Sequence, residues 1–259
     1  MDTRAPTLLY EVDADGVALL TLNRPDKRNA FDTAMIEAWH QRLLEFATDE
    51  RARVLVLTGA GKAFCAGGDN SAMEQRASQN GWQRKEYLMQ VVHQIHHAML
   101  RIDKPVIAAI NGSARGAGLD MALMCDLRLM AASATVGETY IDIGLVAGNG
   151  GAWLLPRIVG VQRALELLWT GRLIEAQEAQ AIGLVLRSLP DEQLLPEAMD
   201  LARRLAARPG NAVRMFKRSV YQGLELSLGA HLDMVSSHMS VLRDSDEYRQ
   251  LMTLTQKKA

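Results

Sequence analysis

The chain has only two cysteines, Cys65 and Cys125. They form no CxxC pair, and no His/Cys cluster has zinc spacing, so neither a disulfide framework nor a metal centre is expected. That usage fits a reduced, cytoplasmic compartment with two free thiols. An excess of one charge is also lacking. The formal net charge is -1, from 29 Lys and Arg against 30 Asp and Glu. Nothing in that balance drives the protein onto nucleic acid or an anionic membrane. No apolar run reaches about 18 residues, so no transmembrane helix is expected. Met1 to Pro6 carry no apolar signal core, and the strand pattern directly after them argues against a transit peptide. Internal repeats and low-complexity tracts are missing too.

What remains is ordinary for a globular protein: 259 residues, 48% hydrophobic and 23% charged. That length suits one large domain or a domain with an appendage. Residues 7–12 and 16–22 alternate as strands around Asp13-Ala14-Asp15-Gly16 and predict a hairpin. Asp32 reads as an N-cap for a helix to about Thr48, with Met35, Trp39, Leu43 and Phe46 on one face. Strands are expected over 53–58, 105–110, 126–131 and 184–189. Residues 72–81 form a polar connection, and Trp82 to Arg101 reads as one helix. Short helices are expected over 116–125, 149–158, 161–169 and 175–182. After Pro190 the alternation stops, and helices over 191–207, 210–224 and 227–256 succeed one another with no strand between them. The pattern predicts an α/β body, 1–190, with a helical region, 191–259.

Two stretches stand out. Lys62-Ala63-Phe64-Cys65-Ala66-Gly67-Gly68-Asp69 comes after the strand at 53–58, and Asn111-Gly112-Ser113-Ala114-Arg115-Gly116-Ala117-Gly118-Leu119-Asp120 comes after the strand at 105–110. Each is small-residue backbone ending in an aspartate. Such backbone brings N–H groups close to a ligand without side-chain clash. Two loops of this kind can converge on one oxygen, as an oxyanion hole does.

At these loops the chain resembles the crotonase superfamily, the enoyl-CoA hydratase/isomerase family. Further matching pieces occur in order: Leu22-Asn23-Arg24-Pro25, Asn29-Ala30-Phe31, the run from Lys104 to Gly112, Met124-Cys125-Asp126-Leu127-Arg128, Gly150-Gly151, Leu155-Pro156-Arg157, and Ala179 to Val185. The resemblance implies a spiral of ββα units with trailing helices that pack into a trimer or a dimer of trimers. It implies an acyl-CoA substrate and no separate cofactor, because coenzyme A arrives as part of the substrate. The oxyanion donors would be the amides of Gly68 and Ala117. Losing one such donor typically costs about 3 kcal/mol of transition-state stabilisation. Ala117 would open a helix and add the positive end of its dipole. Lys27 and Arg28 match a basic position near the CoA phosphates, with a solvated basic face as the bland alternative. Ala30, Ala66, Asp69 and Asn70 match the CoA-binding stretch, and Phe216 and Lys217 resemble C-terminal residues that touch the nucleotide.

The acids depart from the family pattern. A hydratase of this family sets two glutamates across its substrate for acid/base work. The first position is Asp120 here, one methylene shorter; the alternative is a mere helix N-terminal charge. The second is Tyr140, a poor base with an ordinary pKa of about 10, able to donate a hydrogen bond or pack on an acyl group. Glu138 and Asp142 flank it and would share its face only in an extended segment. An isomerase-type aspartate near Gly148-Asn149 is absent. His93, His96 and His97 form a further cluster: His93 falls where the dehalogenase branch has a base, but Gly148 stands where that branch has its nucleophile. Metal binding by the 93/97 pair would need a third ligand. Cys65 reads as packing. The resemblance implies first an enoyl-CoA hydratase/isomerase that stabilises a thioester enolate; the alternatives are a thioester hydrolase or decarboxylase using His93 or Tyr140, and a non-catalytic acyl-CoA-binding homologue.

Overall fold

The predicted hairpin forms: β1 (Leu8–Val12) pairs antiparallel with β2 (Val17–Leu22), Leu8 opposite Leu22. The structure is a computed structural model that describes residues 6–69, 71, 74 and 77–256. β3 (Val54–Gly59) and β5 (Val106–Ile110) are buried along their whole length, which is why they read as unbroken apolar runs rather than alternating ones. They pair in parallel and, with β7 (Leu127–Ala131) and β10 (Arg187–Leu189), complete a sheet of order β1-β2-β3-β5-β7-β10. The last strand is shorter than the expected 184–189.

A second sheet was not legible in the sequence. It consists of β4 (Ala63–Cys65), β6 (Ser113–Arg115), β8 (Thr135–Gly137) and β9 (Ile174–Glu175). Strands of two or three residues are too short to show a period. From β3 to β8 the chain gives each sheet one strand in turn, the expected ββα pattern. β4 and β6 pair in parallel, as do β6 and β8. That pairing sets the two glycine loops side by side, because each loop leaves the same end of a neighbouring strand.

The first long helix obeys its signals. Asp32 caps Thr33–Thr48 by accepting the Met35 amide at 2.9 Å, and Met35, Ile36, Trp39, Leu43 and Phe46 are buried. The single helix expected from Trp82 to Arg101 is instead Gly81–Tyr87, a π-helical turn over Leu88–Val92, and Gln94–Arg101. The wide turn shifts the helical register of the last segment relative to the first. The expected helix over 227–256 breaks at Asp244 and Ser245 into Leu228–Arg243 and Asp246–Gln256. Asp191–Ala206 buries Leu194, Ala198, Ala202 and Ala206, an apolar stripe four residues apart. Gly210–Gly223 and Leu228–Arg243 bury no residue at all. No helix among the described residues is long and apolar enough to cross a membrane.

Candidate active site

The loop after β4 is held from behind. Asn29, fully buried with a positive φ of 56°, donates to the carbonyls of Ala60 and Ala63 at 2.9 and 2.7 Å. Asp69 pairs with Arg24 at 2.9 Å and accepts the Ser71 hydroxyl and amide. The Ser71 hydroxyl and the Arg24 guanidinium hold its carboxyl below the ordinary range. Asp69 therefore braces the loop, while its own amide donates to Phe31 at 2.9 Å. Cys65 is buried, donates to the Asn29 carbonyl, and has its thiol pushed up to about 12 by burial; it packs, as expected.

Between these braces the amide of Gly68 meets no backbone carbonyl of a described residue, and neither does that of Ala117. Ala117 opens the helix Ala117–Leu123, where the first N–H groups have no intrahelical partner. The two loops touch. A methyl group built on Gly67 would lie 3.6 Å from the Ala117 nitrogen, and one on Gly118 would overlap the Cys65 carbonyl at 2.1 Å. Glycine at these positions is what permits the contact.

One turn into that helix stands Asp120, fully buried. It meets Glu138, also buried, and Tyr140, whose hydroxyl donates to Asp120 Oδ2 at 2.5 Å. Both carboxyls lie against Gly151, where an added methyl would fall 2.1 Å from Asp120 Oδ1 and 2.8 Å from Glu138 Oε1. Burial raises the Asp120 carboxyl above the ordinary range; the Tyr140 hydroxyl, Glu138 and the amides of Asn149 and Gly151 oppose the rise. Glu138 is raised by burial and then by the charge of Asp120. Neither Glu138 oxygen has a hydrogen-bond partner of ordinary geometry, nor does Asp120 Oδ1. A shared proton, held on Glu138 beside an ionised Asp120, is the arrangement this favours. Burial and the same carboxylates push the Tyr140 hydroxyl well above its ordinary value, so it stays protonated.

Asp142 stands apart from this group. Thr139–Ile143 winds as a 3-10 helix, so Glu138, Tyr140 and Asp142 do not share a face, and Asp142 is exposed. His93 is committed elsewhere: its Nε2 lies 2.9 Å from the Gly148 carbonyl. Lys217 forms an ion pair with Asp126 at 2.8 Å and donates to the Lys104 carbonyl, while Phe216 is exposed.

Of the matched CoA positions, Lys27 is exposed at the end of the 3-10 turn Pro25–Lys27. Arg28 comes next, with a positive φ of 51°. Ala30 is buried and gives its carbonyl to Arg24, and Ala66 donates its amide to the Arg28 carbonyl at 3.0 Å. Asn70 lies outside the described residues, as do 72, 73, 75 and 76 of the polar connection. Arg28, Ala63, Ala66, Ser113 and Arg115 line a cavity of about 360 Å³. Arg115 was not singled out from the sequence, although it sits within the second loop. The nearby Arg28 charge and burial both disfavour its own charge, burial more strongly. A larger cavity, about 490 Å³ and lined by Lys104, Arg53 and Glu247 among others, includes no residue of either loop.

Residues 13–257 match the family model described as "Enoyl-CoA hydratase/isomerase". A protein of Mycobacterium bovis named "Probable enoyl-CoA hydratase" is 38% identical over 87% of this chain and 81% of its own length. The "1,2-epoxyphenylacetyl-CoA isomerase" of Escherichia coli is 34% identical over 91% of this chain and 90% of its own. The crystal structure of an enoyl-CoA hydratase from Bacillus anthracis superposes with a TM-score of 0.88 at 34% identity, covering 97% of each chain. Paired glycine loops, an acid one turn beyond the second loop, and matches that run nearly the length of the chain place this protein in the enoyl-CoA hydratase/isomerase family.

Proposed function

We propose that this chain binds an acyl-CoA thioester, holds its carbonyl oxygen on the amides of Gly68 and Ala117, and moves a proton with Asp120 and Glu138. The observation that carries this is that pair of amides on touching loops, one turn from a buried acid. Charge that develops on the thioester oxygen when a Cα proton leaves would meet two preorganised donors in a water-poor site. Asp120, ionised, takes the proton; Glu138 supplies or stores another; Tyr140 orients Asp120. The second family carboxylate position is Tyr140, bonded to the first. The acids therefore form one proton-carrying cluster, which suits transfer between substrate carbons, as in double-bond isomerisation. Hydration is the other outcome the assay distinguishes.

Lys27, Arg28 and Arg115 supply positive charge for the CoA phosphates, beside the backbone of Ala66. The reaction needs no added cofactor, because coenzyme A is part of the substrate. The protein acts in the cytoplasm as a trimer or a dimer of trimers, assembled through the region 191–259.

The test is turnover of conjugated and unconjugated enoyl-CoA thioesters monitored by absorbance. Asp120→Asn is expected to lower turnover at least about 100-fold, the usual scale of acid/base catalysis, while CoA binding persists. Unchanged turnover would remove Asp120 from the chemistry. Release of free CoA would make the protein a hydrolase, and CoA affinity without turnover of any thioester a binding homologue.

A further inference from the structure

The acid cluster keeps its carboxyls out of reach and leaves a phenol in front of them. Asp120 is 0% exposed and Glu138 1%, whereas Tyr140 is half-buried. The Tyr140 hydroxyl donates to Asp120 Oδ2 at 2.5 Å. The other carboxylate oxygen, Oδ1, lies on the side of Gly151 and Glu138. The tyrosine ring runs along the second glycine loop. A methyl built on Gly116 would sit 3.5 Å from Tyr140 Cε2 and 3.6 Å from Cδ2. The peptide that joins Gly116 to Ala117 carries the Ala117 amide. The ring therefore borders the peptide that presents an oxyanion donor, while its hydroxyl reaches the acid.

A carboxyl with no exposed surface offers no atom to a substrate carbon. A general base has to lie within about 2.6–3.2 Å of the atom whose proton it takes, or reach it through one intermediary such as a water. Here the Tyr140 hydroxyl occupies the intermediary's place. Alone, a tyrosine is a poor base, with an ordinary pKa of about 10. Backed by a carboxylate it need never ionise, because it can pass on its own proton as it takes another.

We propose that Tyr140 is the catalytic residue that touches the substrate: its Oη takes the Cα proton while its own proton passes to Asp120 Oδ2. The inference rests on the acid/base reading of the site. In the step, the Cα–H bond breaks as a new Oη–H bond forms. The old Oη–H bond breaks as an O–H bond forms on Oδ2. The electron pair of the C–H bond passes into the thioester, whose oxygen becomes an enolate on the amides of Gly68 and Ala117. Asp120 ends neutral, so one negative charge has moved from the carboxylate to the enolate and no tyrosinate appears. The reverse relay returns a proton to a substrate carbon. A tyrosine at the second acid position is thereby compatible with proton transfer.

The probe is a saturated acyl-CoA tritiated at Cα, which loses its label to solvent only after deprotonation. Tyr140→Phe keeps the ring beside Gly116 and removes Oη. It is expected to cut label release at least about 100-fold, the usual scale of acid/base catalysis, as Asp120→Asn does, with CoA binding retained. The double variant should be no slower than the slower single one, as for groups that act as a unit. Direct transfer from Cα to Asp120 moves no solvent-exchangeable proton, whereas the relay moves the Tyr140 hydroxyl proton. The parent should therefore release label more slowly in D2O than in H2O. A folded Tyr140→Phe that releases label at the parent's rate, with Asp120→Asn inactive, would overturn the relay and leave the acid/base reading standing. Equal rates in H2O and D2O would also overturn the relay, and that measurement needs only the parent protein. Undiminished release by Asp120→Asn would overturn both.

Discussion

Glu138 shows how a single buried carboxyl couples chemistry to stability. Its proton affinity is raised in the folded chain by burial and by Asp120. The folded protein therefore keeps a proton that the unfolded chain releases near the ordinary glutamate value of about 4.3. A group raised in this way contributes stability that is full below the ordinary value and lost as pH rises through the folded one. Glu138→Gln keeps the shape and removes the titration. Thermal melts should show little difference between parent and variant at about pH 4. At about pH 8 the variant should be relatively more stable, on the order of 1 kcal/mol. An offset that does not change with pH would mean that Glu138 carries no shifted proton. Asp120 was legible as a candidate because its position in the motif survives the loss of a methylene. The part played by Tyr140, tied to Asp120 rather than facing a substrate alone, required knowing that residues twenty apart meet.

Among the elements, the start of the helix Gly151–Val159 is the most constrained. Gly151→Ala would push a methyl to 2.1 Å from Asp120 Oδ1, so the acid must move. Misplacing reacting groups by about an ångström can cost about 100-fold in rate, and overpacking costs about 1–3 kcal/mol in stability. Turnover is expected to fall by roughly that factor, whereas Gly81→Ala, with no heavy atom within 4 Å of the added methyl, should leave turnover intact. Equal turnover of both variants with the parent would show that the acid pair tolerates displacement. The glycine pair at 150 and 151 was visible as part of a pattern, but not what it makes room for. The central strands β3 and β5, and the Asp32 cap, were readable because they depend on local residues. The second sheet was not, because its short strands are defined by their partners.

For the whole molecule, the C-terminal helices pose the clearest question. Gly210–Gly223 and Leu228–Arg243 bury nothing, and Phe216, Leu224 and Leu228 are 72%, 65% and 73% exposed. The proposed trimer or dimer of trimers would cover this apolar surface. Light scattering should give three or six times the 28.5 kDa chain mass. Leu228→Glu should shift the protein toward smaller species, because a charge buried without a partner is costly. A parent that is monomeric at micromolar concentration would overturn the trimer and hexamer together.

The amino-acid sequence by itself determined the α/β order of elements, the two glycine loops, the acid beyond the second loop and the helical end. Each of these is written in neighbouring residues, as a period, a cap or a missing side chain. Only the tertiary structure decided which groups face one another: β4 against β6, so that the loops touch, and Asp120 against Glu138, Tyr140 and Gly151. It also decided which atoms lose water, and burial is what raises the two carboxyls. Proton affinity at this site is a property of the surroundings, and those are assembled from segments that lie far apart in the chain.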